Sequence, residues 1–171
     1  MTRRVTLRRA TAKDAVDLAG VARATFTETF GMLYSAADLA TFLEQHTPGD
    51  WAREIADPAY AVALVEEGHI VVGYVKLGPP RLPFTPATGA IELRQFYLLQ
   101  PWQGARVGLQ MMDWALDEAR ARGMKEMFLS VFIDNERARR FYAKYGFEDV
   151  GRYAFIVGDH EDTDIVMRRA L

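Results

Sequence analysis

The chain has 171 residues, half of them hydrophobic and about a quarter charged, with a formal net charge of -2. A chain of that size fits one domain able to bury roughly 70% of its unfolded surface, and the near-neutral balance argues against a nucleic-acid partner. It holds no cysteine, which excludes disulfides, thiolate metal sites and a cysteine nucleophile. The stretch MTRRVTLRRATAKD is arginine-rich without an apolar core, so it does not read as a secretory signal. No apolar run approaches the ~20 residues of a membrane span. The expectation is a cytoplasmic protein with no membrane partner, a monomer or homodimer.

The elements follow in order. VTLRRA alternates as a first strand. Thr11 to Asp14 resembles a capping box, after which Ala15, Leu18, Ala19 and Ala22 recur at helical spacing. SAAD (35–38) opens a second helix carrying Leu39, Phe42 and Leu43. TPGD (47–50) opens a third, with Thr47 as N-cap and Pro48 in the first position, ending near Asp57-Pro58. YAVALVEEGHIVVGYVKL (60–77) reads as two strands about a Glu-Glu-Gly turn. GPPRLPFTPATG (78–89) has four prolines, so it is a surface loop and a possible lip over a site. AIELRQFYLL (90–99) is a strand that stops before Pro101. A helix from about Gly104 to Arg122 follows, with Met112, Leu116 and Ala119 on one face and Gly123 as C-cap. KEMFLSVF (125–132) is an apolar strand, and DNERARRFYAKYG (134–146) a short helix. RYAFIV, a polar GDHEDTD turn and DIVMRRA close the chain as a hairpin. The strand–glycine turn–helix–strand order suggests a parallel pair.

QPWQGARVGLQMM (100–112) is the most informative stretch. A helix begins with about four amides that have no partner inside it, and its dipole adds roughly half a positive charge. Glycine lets an oxygen-rich ligand approach that backbone, so the run 103–109 suits a diphosphate. The same residues also make a plain corner, and both readings stand at this point. The spacing is neither that of the P-loop nor that of the dinucleotide fingerprint. The 3′-phospho-ADP part of coenzyme A is a candidate ligand.

FYLLQPWQGARVGLQMM and DNERARRFYAKYGFEDVG, in this order with one strand between them, resemble the two signatures of the GNAT superfamily of acyl-CoA-dependent N-acetyltransferases. The specific likeness covers residues 91–151. It implies an α/β (α+β) fold: a single domain over 1–171 with a central mixed, mostly antiparallel sheet of about seven strands flanked by helices, and a parallel pair at the CoA cleft. Residues 1–89 would form the acceptor side, 90–151 the CoA-binding core and 152–171 a C-terminal hairpin. The residues themselves give no reason to expect a metal, and the resemblance implies acetyl-CoA as co-substrate. It also implies backbone pairing of the pantetheine arm by Tyr97 and Leu98. The diphosphate would be held by Gln103, Gly104, Ala105, Arg106, Val107, Gly108 and Leu109. Asn135 would contact the cofactor, Ala138 and Phe141 would line its wall, and Tyr142 would protonate the leaving thiolate. The chain departs from the family pattern at Arg106, where glycine is usual; arginine fits there if its backbone is already helical.

The chemistry sets its own demands. An amine with pKa of about 10.4 must shed a proton before it attacks, at a cost of about 4–5 kcal/mol at pH 7. Glu92 is the first choice as base. It precedes Leu98 by an even spacing, which shares a face unless a bulge intervenes, though a solvated strand start or a pairing with Arg94 also fits. Tyr142 equally suits core packing. His46, His69 and His160 show no ligand spacing, and GDHEDTD lacks the pattern of a calcium loop, so it reads as a solvated tip. RARR (137–140) is either a solvated face or a partner for the 3′-phosphate. ATFTETFGMLY (24–34), with Glu28, is either core or the floor of an acceptor pocket. The expected activity is direct acetyl transfer, in a ternary complex, to the primary amine of a small or polyamine-like molecule. The alternatives are a protein N-terminus or lysine as acceptor, and a non-catalytic acyl-CoA sensor.

Overall fold

The computed structural model describes residues 4–44, 46–104 and 106–171. Seven strands among them form one sheet in the order β1-β2-β3-β4-β5-β7-β6. β1 (Thr6–Arg9), β2 (Ala61–Glu67), β3 (Ile70–Gly78) and β4 (Ala90–Leu98) pair antiparallel in succession. So do β5 (Glu126–Phe132), β7 (His160–Ala170) and β6 (Glu148–Val157). The two halves meet in a parallel pair only three positions long: Ala90, Ile91 and Glu92 of β4 lie beside Glu126, Met127 and Phe128 of β5. Beyond Glu92 the two strands are no longer paired.

The sheet is covered on both faces because its strands alternate. In β2, Val62 and Leu64 face α1 (Ala15–Phe30) and α3 (Pro48–Ala56), packing with Leu18, Ala22 and Trp51. Ala61 and Val65 face the other way, toward α4 (Val107–Ala121) with its Met111, Met112 and Leu116. Each large apolar side chain buried in this way contributes about 1.5–3 kcal/mol. α2 (Ala36–Leu43) joins an aromatic group of Phe26, Phe30 and Tyr34 on the α1 side. α5 (Glu136–Lys144) lies on the α4 side, where Tyr142 and Phe141 enter the main core. Among the described residues, no helix is long and apolar enough to cross a membrane.

Local chemistry explains the helix starts. Thr47 Oγ1 accepts from the Asp50 amide at 3.2 Å while the Asp50 carboxylate accepts from the Thr47 amide at 3.1 Å, and Pro48 holds the first position. Ahead of α1, Asp14 accepts from the Thr11 amide at 2.7 Å and from both Arg8 terminal nitrogens at 2.9 and 2.8 Å. Chiefly the Arg8 hydrogen bonds hold the Asp14 carboxyl down at about 2.

Two expectations need correction. α4 begins at Val107 rather than near Gly104, because the backbone before it is left-handed. The polar stretch read as a hairpin tip is mostly strand: the turn is confined to Gly158 and Asp159, with Gly158 at φ 59°, and β7 starts at His160. Asp162 and Asp164 therefore belong to a sheet interior, not to a loop.

Candidate active site

A β-bulge organises the middle of β4. Lys76 pairs with Gln95 but Leu77 pairs with Leu93, so Arg94 is an extra residue. Beyond the bulge, Phe96 and Leu98 point their side chains toward α4 and α5, and Tyr97 points toward α1. Before it, Ile91 and Leu93 also point toward α4. Glu92 therefore shares the face of Gln95 and Tyr97, not that of Leu98. The even spacing of Glu92 and Leu98 misleads because one inserted residue reverses the alternation.

The backbone of β4 alternates too. The Leu99 amide donates to the Val72 carbonyl at 2.9 Å, and Tyr97 lies opposite Tyr74. Alternation then turns the amides and carbonyls of Phe96 and Leu98 toward the edge that β5 has left. Of the pair Tyr97 and Leu98, Leu98 faces that opened edge; the Tyr97 backbone faces β3. The Leu98 carbonyl accepts from the Gln103 side chain at 2.8 Å, and Gln103 Oε1 in turn accepts from Arg137 at 2.9 Å.

At the head of α4 the chain makes a left-handed corner. Gly104 has φ 83° and Arg106 has φ 62°. Ala105 lies outside the described residues. Among the described residues, the amides of Gly104, Arg106, Val107 and Gly108 donate to no carbonyl of the chain; the first bond of the helix runs from Gln110 to Arg106 at 3.3 Å. Val107 is anchored in the core, while Leu109 is exposed and marks the outer side of the turn. A Cβ on Gly108 would meet only the Phe141 ring edge, at 3.6 Å. Of the RARR arginines, Arg137 reaches this corner, its Nη2 standing 3.9 Å from where a Gly104 Cβ would be. Arg139 instead donates to the Ile133 carbonyl at 3.0 Å. Free amides, a helix N-terminus and one arginine are the donor set that a diphosphate needs, so these residues fit coenzyme A.

Arg106 thus occupies a conformation that glycine prefers, rather than the helical one its tolerance would require. Arg106→Gly is expected to raise unfolding stability by about 0.5–1 kcal/mol, the relief of strain exceeding the extra chain entropy of glycine. Urea unfolding of the two proteins side by side checks this.

Tyr142 is buried against Phe96, Phe141 and Phe147, with ring centroids 6.2, 5.6 and 5.9 Å away. Burial pushes its phenol above the usual range, so it keeps its proton at neutral pH. Asn135 caps α5, its side-chain oxygen accepting from the Ala138 amide at 3.2 Å. Ala138 and Phe141 lie on the same core as Phe96.

On the opposite face lies a cleft of about 830 Å³ lined in part by Glu92, Gln95, Lys76, Arg94, Ser130 and Tyr153. The proline-rich loop roofs it: the Arg81 amide approaches Glu92 Oε1 at 3.4 Å, and Leu82 packs with Ala90, Phe128 and Val166. Burial raises the Glu92 carboxyl above the ordinary range, against the pull of Arg94 at 3.4 Å. Burial also lowers His46, another lining residue. Phe26, Phe30 and Tyr34 pack mainly with one another and with α2, so the 24–34 segment supplies core. Glu28 instead accepts from the Gln100 amide at 3.0 Å.

Beside the cleft stands a carboxylate that pattern reading missed. Asp164 is 6% exposed and belongs to a group with Ser130, Tyr153, Tyr97 and Asp162. Burial first, then Asp162, pushes its carboxyl up to about 6 from 3.8, against a hydrogen bond with Ser130. The only hint in the sequence is that Asp164 stands directly before the apolar run Ile165 to Met167. Because the folded state binds this proton more tightly than the unfolded chain does, Asp164 costs stability progressively as pH rises from about 4 to about 6. Asp164→Asn is expected to gain about 2 kcal/mol at pH 7.5 and nothing at pH 3.5, read from urea midpoints at the two values.

Comparison with known proteins gives four findings. The model of a family described as the acetyltransferase (GNAT) family matches residues 22–147. An uncharacterised N-acetyltransferase of Lactobacillus delbrueckii subsp. lactis is 30% identical, the match covering 93% of each chain. The aminoalkylphosphonate N-acetyltransferase of Salmonella typhimurium is 30% identical over 98 residues, 57% of this chain and 63% of that one. Among solved structures, the PaiA N-acetyltransferase from Thermoplasma acidophilum in complex with coenzyme A superposes with a TM-score of 0.81 at 19% identity. That match covers 98% of this chain and 99% of the other, a likeness of fold.

Proposed function

The chain belongs to the acetyltransferase (GNAT) family, and from that premise we propose that it moves the acetyl group of acetyl-CoA to the primary amine of a small molecule. The observation that carries this reading is the set of unpartnered amides at the head of α4 next to the opened edge of β4. Gly104, Arg106, Val107 and Gly108 hold the diphosphate through their amides, with Arg137 beside them, and the Phe96–Leu98 edge holds the pantetheine arm. The name of the Salmonella relative supports a small acceptor.

When bound, acetyl-CoA supplies an activated acyl group and a thiol leaving group. The chain supplies the rest. Glu92, made more basic by burial, takes a proton from the acceptor's ammonium in the cleft. The Leu98 amide, on the opened edge, polarises the acyl oxygen. Tyr142 gives its phenolic proton to the departing sulfur. The buried aromatic cluster keeps water from the reacting bond. Thiol release from acetyl-CoA with a panel of amines tests the reading: amine-dependent release supports it, and none with any amine, despite cofactor binding, overturns it.

A further inference from the structure

Resting on that reading, we propose that the acceptor is an amine bearing an oxyanion, a carboxylate or phosphonate, which sits between Arg94 and Arg81 while the amine faces Glu92 and Gln95. The cleft contains more cationic donors than its own acceptors use. The Arg94 side chain is only 15% exposed, yet its contacts are long: Nε lies 3.4 Å from Glu92 and Nη1 donates to the Pro79 carbonyl at 3.3 Å. Its other three N–H groups have no partner among the described residues. The Arg81 side chain donates once, to the Tyr60 hydroxyl at 3.0 Å, and its guanidinium pairs with no carboxylate among the described residues. Lys76 is already satisfied by Glu54 at 2.5 Å and by the face of Trp51 at 4.3 Å. The whole lining is balanced, with Arg53, Lys76, Arg81 and Arg94 against Asp50, Glu54, Asp57 and Glu92, so what Arg94 and Arg81 offer is unfilled donors rather than a net charge.

The arginines are positioned, not merely near. Tyr60 bridges them, since its ring lies 5.7 Å from the Arg94 guanidinium carbon while its hydroxyl takes Arg81. Gly78 makes this packing possible: a Cβ there would come within 2.7 Å of both Tyr60 and Arg94. The bulge itself places Arg94 on the cleft wall. On the acceptor side, Gln95 Oε1 is buried without a hydrogen-bond partner and lines the same cleft, ready to take an ammonium N–H beside Glu92. A simple alkylamine or a polyamine carries no acceptor oxygen, and so leaves the guanidinium donors unmatched.

The test compares 2-aminoethylphosphonate and β-alanine with propylamine and 1,3-diaminopropane as acceptors, by thiol release, and titrates 2-aminoethylphosphonate into the CoA-bound protein by calorimetry. The two anionic amines are expected to exceed the others in kcat/KM by about 100-fold. Arg94→Gln should erase most of that preference, and Arg81→Gln, on the loop, should cut it about tenfold, with melting temperatures confirming the folds. The ratio of the two anionic amines tells phosphonate from carboxylate recognition. Equal or better use of propylamine or diaminopropane, or a preference untouched by both variants, overturns the proposal while leaving the acetyltransferase reading intact. Calorimetric binding that Arg94→Gln abolishes, without thiol release from any amine, does the reverse. Neither binding nor turnover of the anionic amines overturns the proposal outright.

Discussion

Tyr142→Phe is expected to lower kcat by about 100-fold while leaving the KM for acetyl-CoA within about twofold, because loss of a general acid costs at least that much and the ring is retained. The substitution is clean on structural grounds. Phe96, Phe141 and Phe147 surround the Tyr142 ring, and all three contacts survive removal of one oxygen. Burial raises the phenol, so the hydroxyl is a proton donor across the working pH range. Steady-state kinetics with a melting curve decide the matter. A kcat unchanged from wild type would mean that Tyr142 serves packing alone, and protonation of the sulfur would then fall to water.

The second large effect concerns the corner before α4. Gly108→Asp is expected to weaken acetyl-CoA binding by about 100-fold while leaving the melting temperature equal or higher. The two readouts separate because an acidic side chain in the first turn complements the helix dipole but opposes a diphosphate. Steric damage is not a rival explanation, since a Cβ at Gly108 meets only Phe141 at an ordinary distance. Calorimetric titration with acetyl-CoA measures the loss. Undiminished affinity would show that the amides of this corner do not carry the diphosphate.

The sequence made the order of elements plain because local rules dominate there. Thr47, Pro48 and Asp50 form the expected cap of α3, and the alternation within 90–99 marks a strand in the right place. The apolar positions Met112, Leu116 and Ala119 do face the core. What pattern could not give depends on partners remote in sequence. The extra residue at Arg94 exists only in relation to β3, and it reverses the face of Glu92. The left-handed state of Arg106 contradicts local preference, so no local rule would place it there. Asp164 looks like turn chemistry until its strand is seated between β5 and β6. The arginine pair about Tyr60 joins residues from three separate segments, which no spacing rule would connect.

The brevity of the parallel seam has a further consequence. Strands with unsatisfied hydrogen-bonding groups usually invite other chains to add to them, and so to aggregate. Here the stretch at Phe96–Leu98 that β5 leaves unpaired is not at the rim of the sheet but in its middle, with β5 continuing on the far side. A foreign polypeptide would have to thread between two strands anchored to each other at Ala90–Glu92. The fold can therefore keep a sticky backbone permanently ready for a slender guest without exposing its neighbours in a crowded solution to it.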